Sequence, residues 1–85
     1  MTGKYKIKND TVAPIFWWIG TNAFPSTGPI KPNEVSENLN YFQNWGYMSI
    51  INDNTKTVIC TVAFPSEGNW LITILRVNEY TLTRQ

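Results

Sequence analysis

The 85-residue chain predicts an all-β domain, a small antiparallel β-sandwich of about six to seven strands, and three observations carry that expectation. Short runs of β-branched and aromatic residues recur along its whole length. Clusters of Asn, Asp, Gly and Pro separate them. No stretch repeats apolar residues at the spacing of a helix face. A chain this short has material for one core, so residues 1–85 read as a single domain. With 42% hydrophobic residues and 15% charged ones, against roughly a quarter charged in an average domain, the chain has the composition of a folded protein.

The first strand, 4–8 (KYKIK), alternates lysines with Tyr5 and Ile7, and its three lysines read as the charged guard of an edge strand. The second, 13–20 (APIFWWIG), is apolar on both faces: Trp17 points with Ile15 and Ile19, and Trp18 points with Phe16. One of those faces needs a cover, which is the 21–34 segment, a partner subunit or a ligand. Lys31-Pro-Asn-Glu34 is a turn signature, and 35–43 reads as strand in preference to a helical turn. Strands 45–51 (WGYMSII) and 56–64 (KTVICTVAF) form a hairpin across Asn52-Asp-Asn-Thr55, an Asx-type turn rather than a calcium loop. Strands 70–77 (WLITILRV) and 79–84 (EYTLTR) complete the set.

One phrase occurs twice. Ala23-Phe-Pro-Ser-Thr-Gly28 returns forty residues later as Ala63-Phe-Pro-Ser-Glu-Gly68, and the agreement collapses outside that window. The motif therefore reads as a strand terminator used twice rather than as a duplicated half-domain: Phe closes the strand, Pro cannot donate to a ladder, and Ser-x-Gly turns the chain. If 35–51 amounts to one strand direction, the two turns are neighbours; if it holds two strands, they lie at opposite ends of the sandwich.

The composition narrows the chemistry. The chain has no histidine and one cysteine, Cys60, which has no imidazole to activate it and sits in an apolar run as a buried residue would. No catalytic residue, metal site or cofactor is expected, and the protein reads as a non-enzyme. A formal charge of +1 is too small for sequence-independent nucleic-acid binding. No segment has the form of a secretory leader or membrane span, so the expected location is the cytoplasm, or outside the cell by release without a classical signal peptide. Asn9-Asp-Thr11 is a glycosylation sequon that matters only in a secretory context.

The aromatic residues are the sharper clue. Trp45, Tyr47 and Trp70 fall at strand ends, where sandwich proteins carry binding loops, and ten asparagines supply amides beside them. Indole and phenol rings next to amides and hydroxyls hold sugars by stacking, or rest in a lipid interface. The expected function is recognition of a glycan or lipid headgroup by Trp18, Trp45, Tyr47 and Trp70. The alternative is a self-associating structural protein that buries Phe16 and Trp18 of strand 13–20 in a homo-oligomer interface.

The order Ile7-Lys-Asn9, Pro14-Ile-Phe-Trp-Trp18 and Ile30-Lys-Pro-Asn-Glu34 resembles the opening of the aegerolysins, small β-sandwich lipid-binding proteins without signal peptides. That resemblance covers about the first third of the chain and implies a sandwich and lipid recognition. Ile50-Ile-Asn-Asp53 and Glu79-Tyr-Thr-Leu82 resemble segments of the von Hippel-Lindau β domain, a sandwich that binds a hydroxyproline peptide. Its binding histidine has no counterpart here, so this second likeness implies fold alone.

Overall fold

The computed structural model describes residues 2–85, with β1 (Thr2–Asn9), β2 (Ile15–Ile19), β3 (Asn22–Phe24), β4 (Leu39–Phe42), β5 (Tyr47–Asn52), β6 (Thr57–Ala63), β7 (Asn69–Arg76) and β8 (Glu79–Arg84). They form two four-stranded sheets, ordered β4-β1-β7-β8 and β3-β2-β5-β6. The all-β sandwich stands as expected. It holds two more short strands than the six clear apolar runs: β3 in the 21–34 segment and β4 within 35–43, which ends in a 3-10 turn at Gln43–Trp45. One pairing departs from the antiparallel expectation, because β1 and β7 run parallel, with Lys4 beside Asn69 and Asn9 beside Ile74.

Alternation decides what each strand buries. Tyr5 and Ile7 of β1, Trp17 of β2, Tyr41 of β4, Met48 and Ile50 of β5, Val62 of β6 and Ile72 and Ile74 of β7 are all fully buried between the sheets. The Trp17 indole donates to the Tyr5 hydroxyl at 2.9 Å, tying one sheet to the other through the core. Burial pushes the Tyr5 phenol up to about 12, with the Trp17 hydrogen bond working in the opposite direction. Cys60 is buried as expected of a small apolar residue.

The lysine pattern of β1 has a different meaning from the one its sequence suggests. β1 lies between β4 and β7, so Lys4, Lys6 and Lys8 cover the outer face of an interior strand rather than guard an edge. Strand order depends on long-range pairing, and local pattern does not encode it.

Turns follow their residues. Asn33, after Pro32, takes a positive φ of 69°, and Glu34 both closes the turn onto Lys31 O and accepts from Lys31 N. In the β5–β6 turn the Asn52 side chain accepts from the amides of Asn54 and Thr55, an Asx turn, while Asp53 pairs with Lys56 at 2.6 Å. Lys56 supplies the left-handed residue that the missing glycine would have provided.

Both copies of the repeated phrase end strands. β3 runs antiparallel to β2 and β6 antiparallel to β5, so Phe24 exits toward the Ile15 end of the sandwich and Ala63 toward the Ile19 end. The two turns face opposite ends, and β4 and β5 are the two strands between them. Their surroundings differ as well. The Phe24–Pro25 bond is cis, whereas the second turn is held from outside: Tyr41 Oη and Trp70 Nε1 both donate to Ser66 O, at 2.7 and 2.9 Å.

At the Ile15 end, Asn9 organises the loops. It is fully buried; its Nδ2 donates to Ala13 O and Ile30 O at 2.8 and 3.0 Å, and its Oδ1 accepts from the amide and hydroxyl of Thr11. With both amide hydrogens committed inside the fold, this sequon is closed to modification in the native protein.

Candidate functional site

The outer faces of the two sheets differ in chemistry. On the β4-β1-β7-β8 sheet, cross-strand rows run Lys6–Leu71–Thr83 and Lys8–Thr73–Thr81, basic and hydroxylated. On the other sheet they run Ala23–Trp18–Ser49–Thr61 and Phe16–Ile51–Val58, with no charged side chain in either row. Trp18 is 39% exposed, so the 21–34 segment does not cover it. That segment pairs along the edge of β2 as β3 and then borders Phe16 through Phe24, Pro25 and Gly28. Lys56 stands 5.6 Å over the Phe16 ring. Phe16 is thus half covered and Trp18 remains open.

Trp18 faces a hollow of about 180 Å³ whose other walls are Gly20, Trp45, Tyr47 and Ser49. Each wall arrives by a separate local rule. Trp18 is outward on β2 by alternation, and Ser49 is its register partner on β5. Tyr47 lies two residues earlier on the same face. Trp45 ends the 3-10 turn that carries the chain from one sheet to the other, and Gly46, at a φ of 85°, makes the bend into β5. Gly20 opens the tight β2–β3 turn at a φ of 61°, where a Cβ would point into open space. Around the corner, a second hollow of about 340 Å³ shares Gly20 and Trp45 and adds Thr21, Asn22 and Phe24.

Trp45 is braced from within. Trp45 makes edge contacts with Phe42 (centroids 5.4 Å apart) and Phe64 (6.0 Å); Phe64 stacks on Tyr41 at 5.1 Å, and Tyr5 joins both to Trp17. A continuous chain of rings runs from the centre of the core to the mouth of the hollow. Pre-set rings lose little side-chain freedom when a ligand lands on them.

Of the four aromatic residues singled out in the sequence, the fold brings Trp18, Trp45 and Tyr47 together and leaves Trp70 apart. Trp70 belongs to the opposite sheet, donates its indole hydrogen to Ser66 O and carries the Arg84 guanidinium 4.4 Å over its ring. Its strand-end position is real, but alternation turns it toward the interior beside Tyr5. Gly20, Thr21, Asn22 and Ser49 are the site residues that sequence reasoning passed over. The available signals were the glycine directly after the tryptophan strand and the parity that Ser49 shares with Tyr47.

A further hollow of about 220 Å³ opens at the other end of the sandwich, walled by Val12, Ala13, Ile59, Leu75 and Val77 with Asp10, Thr11, Asn52 and Arg76 among them, and it presents no aromatic ring. Among the described residues no three potential metal ligands come together, and no helix is long and apolar enough to cross a membrane. Comparison of the chain with protein-family models, with curated proteins and with solved structures finds no match.

Proposed function

We propose that this domain is a non-enzymatic binding module that recognises a glycan or a lipid headgroup on the hollow formed by Trp18, Trp45 and Tyr47. The observation that carries the reading is the convergence of three partly exposed aromatic rings, from two strands and a crossover turn, on one uncharged concavity. Apolar faces of sugar rings stack on indole and phenol, and hydroxyls such as that of Ser49 satisfy the polar edges. The uncharged wall favours a neutral glycan, or the sugar of a glycolipid, over an ionic headgroup, because a lone charge placed there has no partner to offset its desolvation.

The test is binding of the whole protein to a glycan array and, separately, to vesicles of neutral phospholipid with and without glycolipid. Trp45→Ala and Tyr47→Ala should each weaken saturable binding at least about tenfold, the effect of losing one stacking partner, while circular dichroism stays native. Binding that survives both substitutions removes the hollow from the interaction. The reading assigns Trp70 no contact with ligand.

A second reading draws on the uncharged rows of the same outer sheet face. There Phe16, Trp18 and Val58 lie side by side, and two copies of the chain packed through them would form a structural homo-oligomer. Trp18→Glu should then reduce the solution mass to that of the monomer; an unchanged mass rejects this reading.

A further inference from the structure

Each sheet of an open sandwich ends in strands with unpaired backbone groups, and natural proteins blunt such edges with bulges, prolines, lysines or covering loops. Three of the four edges here are short or engaged. β3 has three residues and β4 four. β6 is longer but bulged opposite Ile50 and Ile51, and its Ile59 carbonyl accepts from Asn78 N at 2.8 Å, so the β7–β8 turn already occupies part of that edge. β8 is different. Its six residues, Glu79–Arg84, contain no proline, glycine or lysine, and the irregularity in its pairing lies at its start, between Ile74 and Arg76 of β7.

The residues of β8 sharpen the contrast. Leu82 is the register partner of fully buried Ile72 and so points to the interior side of its sheet, yet it is 39% exposed. The facing sheet ends at β6, which packs near β7, and β8 overhangs it. An inward apolar side chain left half open beside an unblunted edge is the arrangement that a further strand completes.

We infer that β8 pairs antiparallel with β8 of a second copy of this chain about a two-fold axis at Leu82, joining the two β4-β1-β7-β8 sheets into one of eight strands. The occupant follows from self-complementarity. A two-fold axis perpendicular to the sheet makes identical edges antiparallel and pairs residues of like facing. With Leu82 opposite itself, Thr81 meets Thr83, a hydroxyl ladder, and Tyr80 falls opposite Arg84, whose guanidinium rests on Trp70 of its own chain. Glu79 falls opposite Gln85, so no like charges meet. This interface uses neither the aromatic hollow nor the outer face of the other sheet, so it does not rest on the binding reading, and Trp18→Glu separates it from the homo-oligomer reading.

The experiment is sedimentation velocity on the whole protein from about 10 µM to about 1 mM, a span that captures the affinity of a single strand pair. Concentration-dependent dimer is expected; monomer throughout overturns the inference. Leu82→Glu, at an already half-open position, should raise the dissociation constant at least about tenfold by placing two carboxylates against each other, with circular dichroism unchanged. Trp18→Glu should leave the dimer intact. A dimer indifferent to the first substitution, or abolished by the second, places the interface elsewhere. Register is read by oxidation, since Cys60 is buried: Leu82→Cys should crosslink in preference to Thr81→Cys, whose two copies lie diagonally. The opposite preference overturns the proposed axis.

Discussion

At the end of the sandwich where β1 finishes, one buried amide holds the loops: Asn9 binds Thr11, Ala13 and Ile30 through its side chain, and its backbone carbonyl accepts from Asn33. At the end where β2 finishes, packed rings join the hydrogen bonds from Tyr41 and Trp70 to Ser66 O. Phe64, Tyr41 and Tyr5 form a buried root, and Trp45 extends from it to the hollow that Trp18 and Tyr47 also line. At the first end each hydrogen-bonding group of Asn9 is spent on the fold, and the hollow that opens beside Thr11 and Ala13 carries no ring. The second is apolar yet open, because rings can be rigid without being covered. The hollow proposed above as a binding site lies at the ring-built end.

Substitutions at the two ends should separate them. Asn9→Ala removes one of two donors from each of the Ala13 and Ile30 carbonyls, which keep Thr11 Oγ1 and Ile15 N, and takes away the acceptor of the Thr11 amide; we expect a loss of about 2 kcal/mol in chemical denaturation. A loss below about 1 kcal/mol would mean that water replaces the amide and that Asn9 does not hold this end together.

The root of the aromatic end should respond to alkali. Tyr5 ionises near 10 when unfolded and near 12 in the fold, so its contribution is fully present below pH 10 and is lost as pH rises through 12. The two-unit difference corresponds to roughly 2 to 3 kcal/mol. Unfolding free energy measured at pH 9, 10.5 and 12 should fall more in the wild type than in Tyr5→Phe. Parallel pH profiles would detach Tyr5 from alkaline stability.

Gly3→Ala probes the same root sterically. A Cβ there would lie 2.6 Å from both Gly68 O and the Tyr41 phenol, and we expect about 2 kcal/mol of destabilisation as the ring or the turn is displaced. A thermal midpoint equal to that of the wild type would show that this end gives way easily.

The smallest stability effects should come from the rim. Trp18→Ala and Trp45→Ala remove half-open rings, and each should cost about 1 kcal/mol or less while abolishing whatever binding the hollow supports. Were Trp45→Ala to unfold the protein, the ring would belong to the core rather than to a site.

Much of this contrast was legible in the sequence. Alternation correctly divided Trp17 from Trp18, because a strand of known facing leaves no freedom in side-chain direction. The six apolar runs all became strands. Three parts were not legible. β3 is three residues long and owes its pairing to the tight turn at Gly20, so it carried no pattern of its own. The lysines of β1 look the same on an edge and on the outer face of an interior strand. Trp70 shares the strand-end position of Trp45 and Tyr47, yet the parity of its strand turns it inward to Ser66. The Asn9 cluster left a faint mark, an Asn-Asp-Thr turn sequence at the end of a strand, which reads equally well as an exposed sequon.

The parallel pairing of β1 with β7 has a consequence for how the molecule comes into being. The hairpins of the β3-β2-β5-β6 sheet join neighbours in the chain, whereas Lys4 must find Asn69, about 65 residues away, before the interior of the other sheet exists. Synthesised before the other seven strands, β1 is thus among the last to be secured on both sides, since β4 can flank it early but β7 only late. Non-local closure of this kind raises contact order and slows folding, and it makes the half with the latest partner the half most exposed to misassociation. Three lysines on that waiting strand, with no edge to guard in the finished protein, are well placed to keep it soluble until β7 arrives.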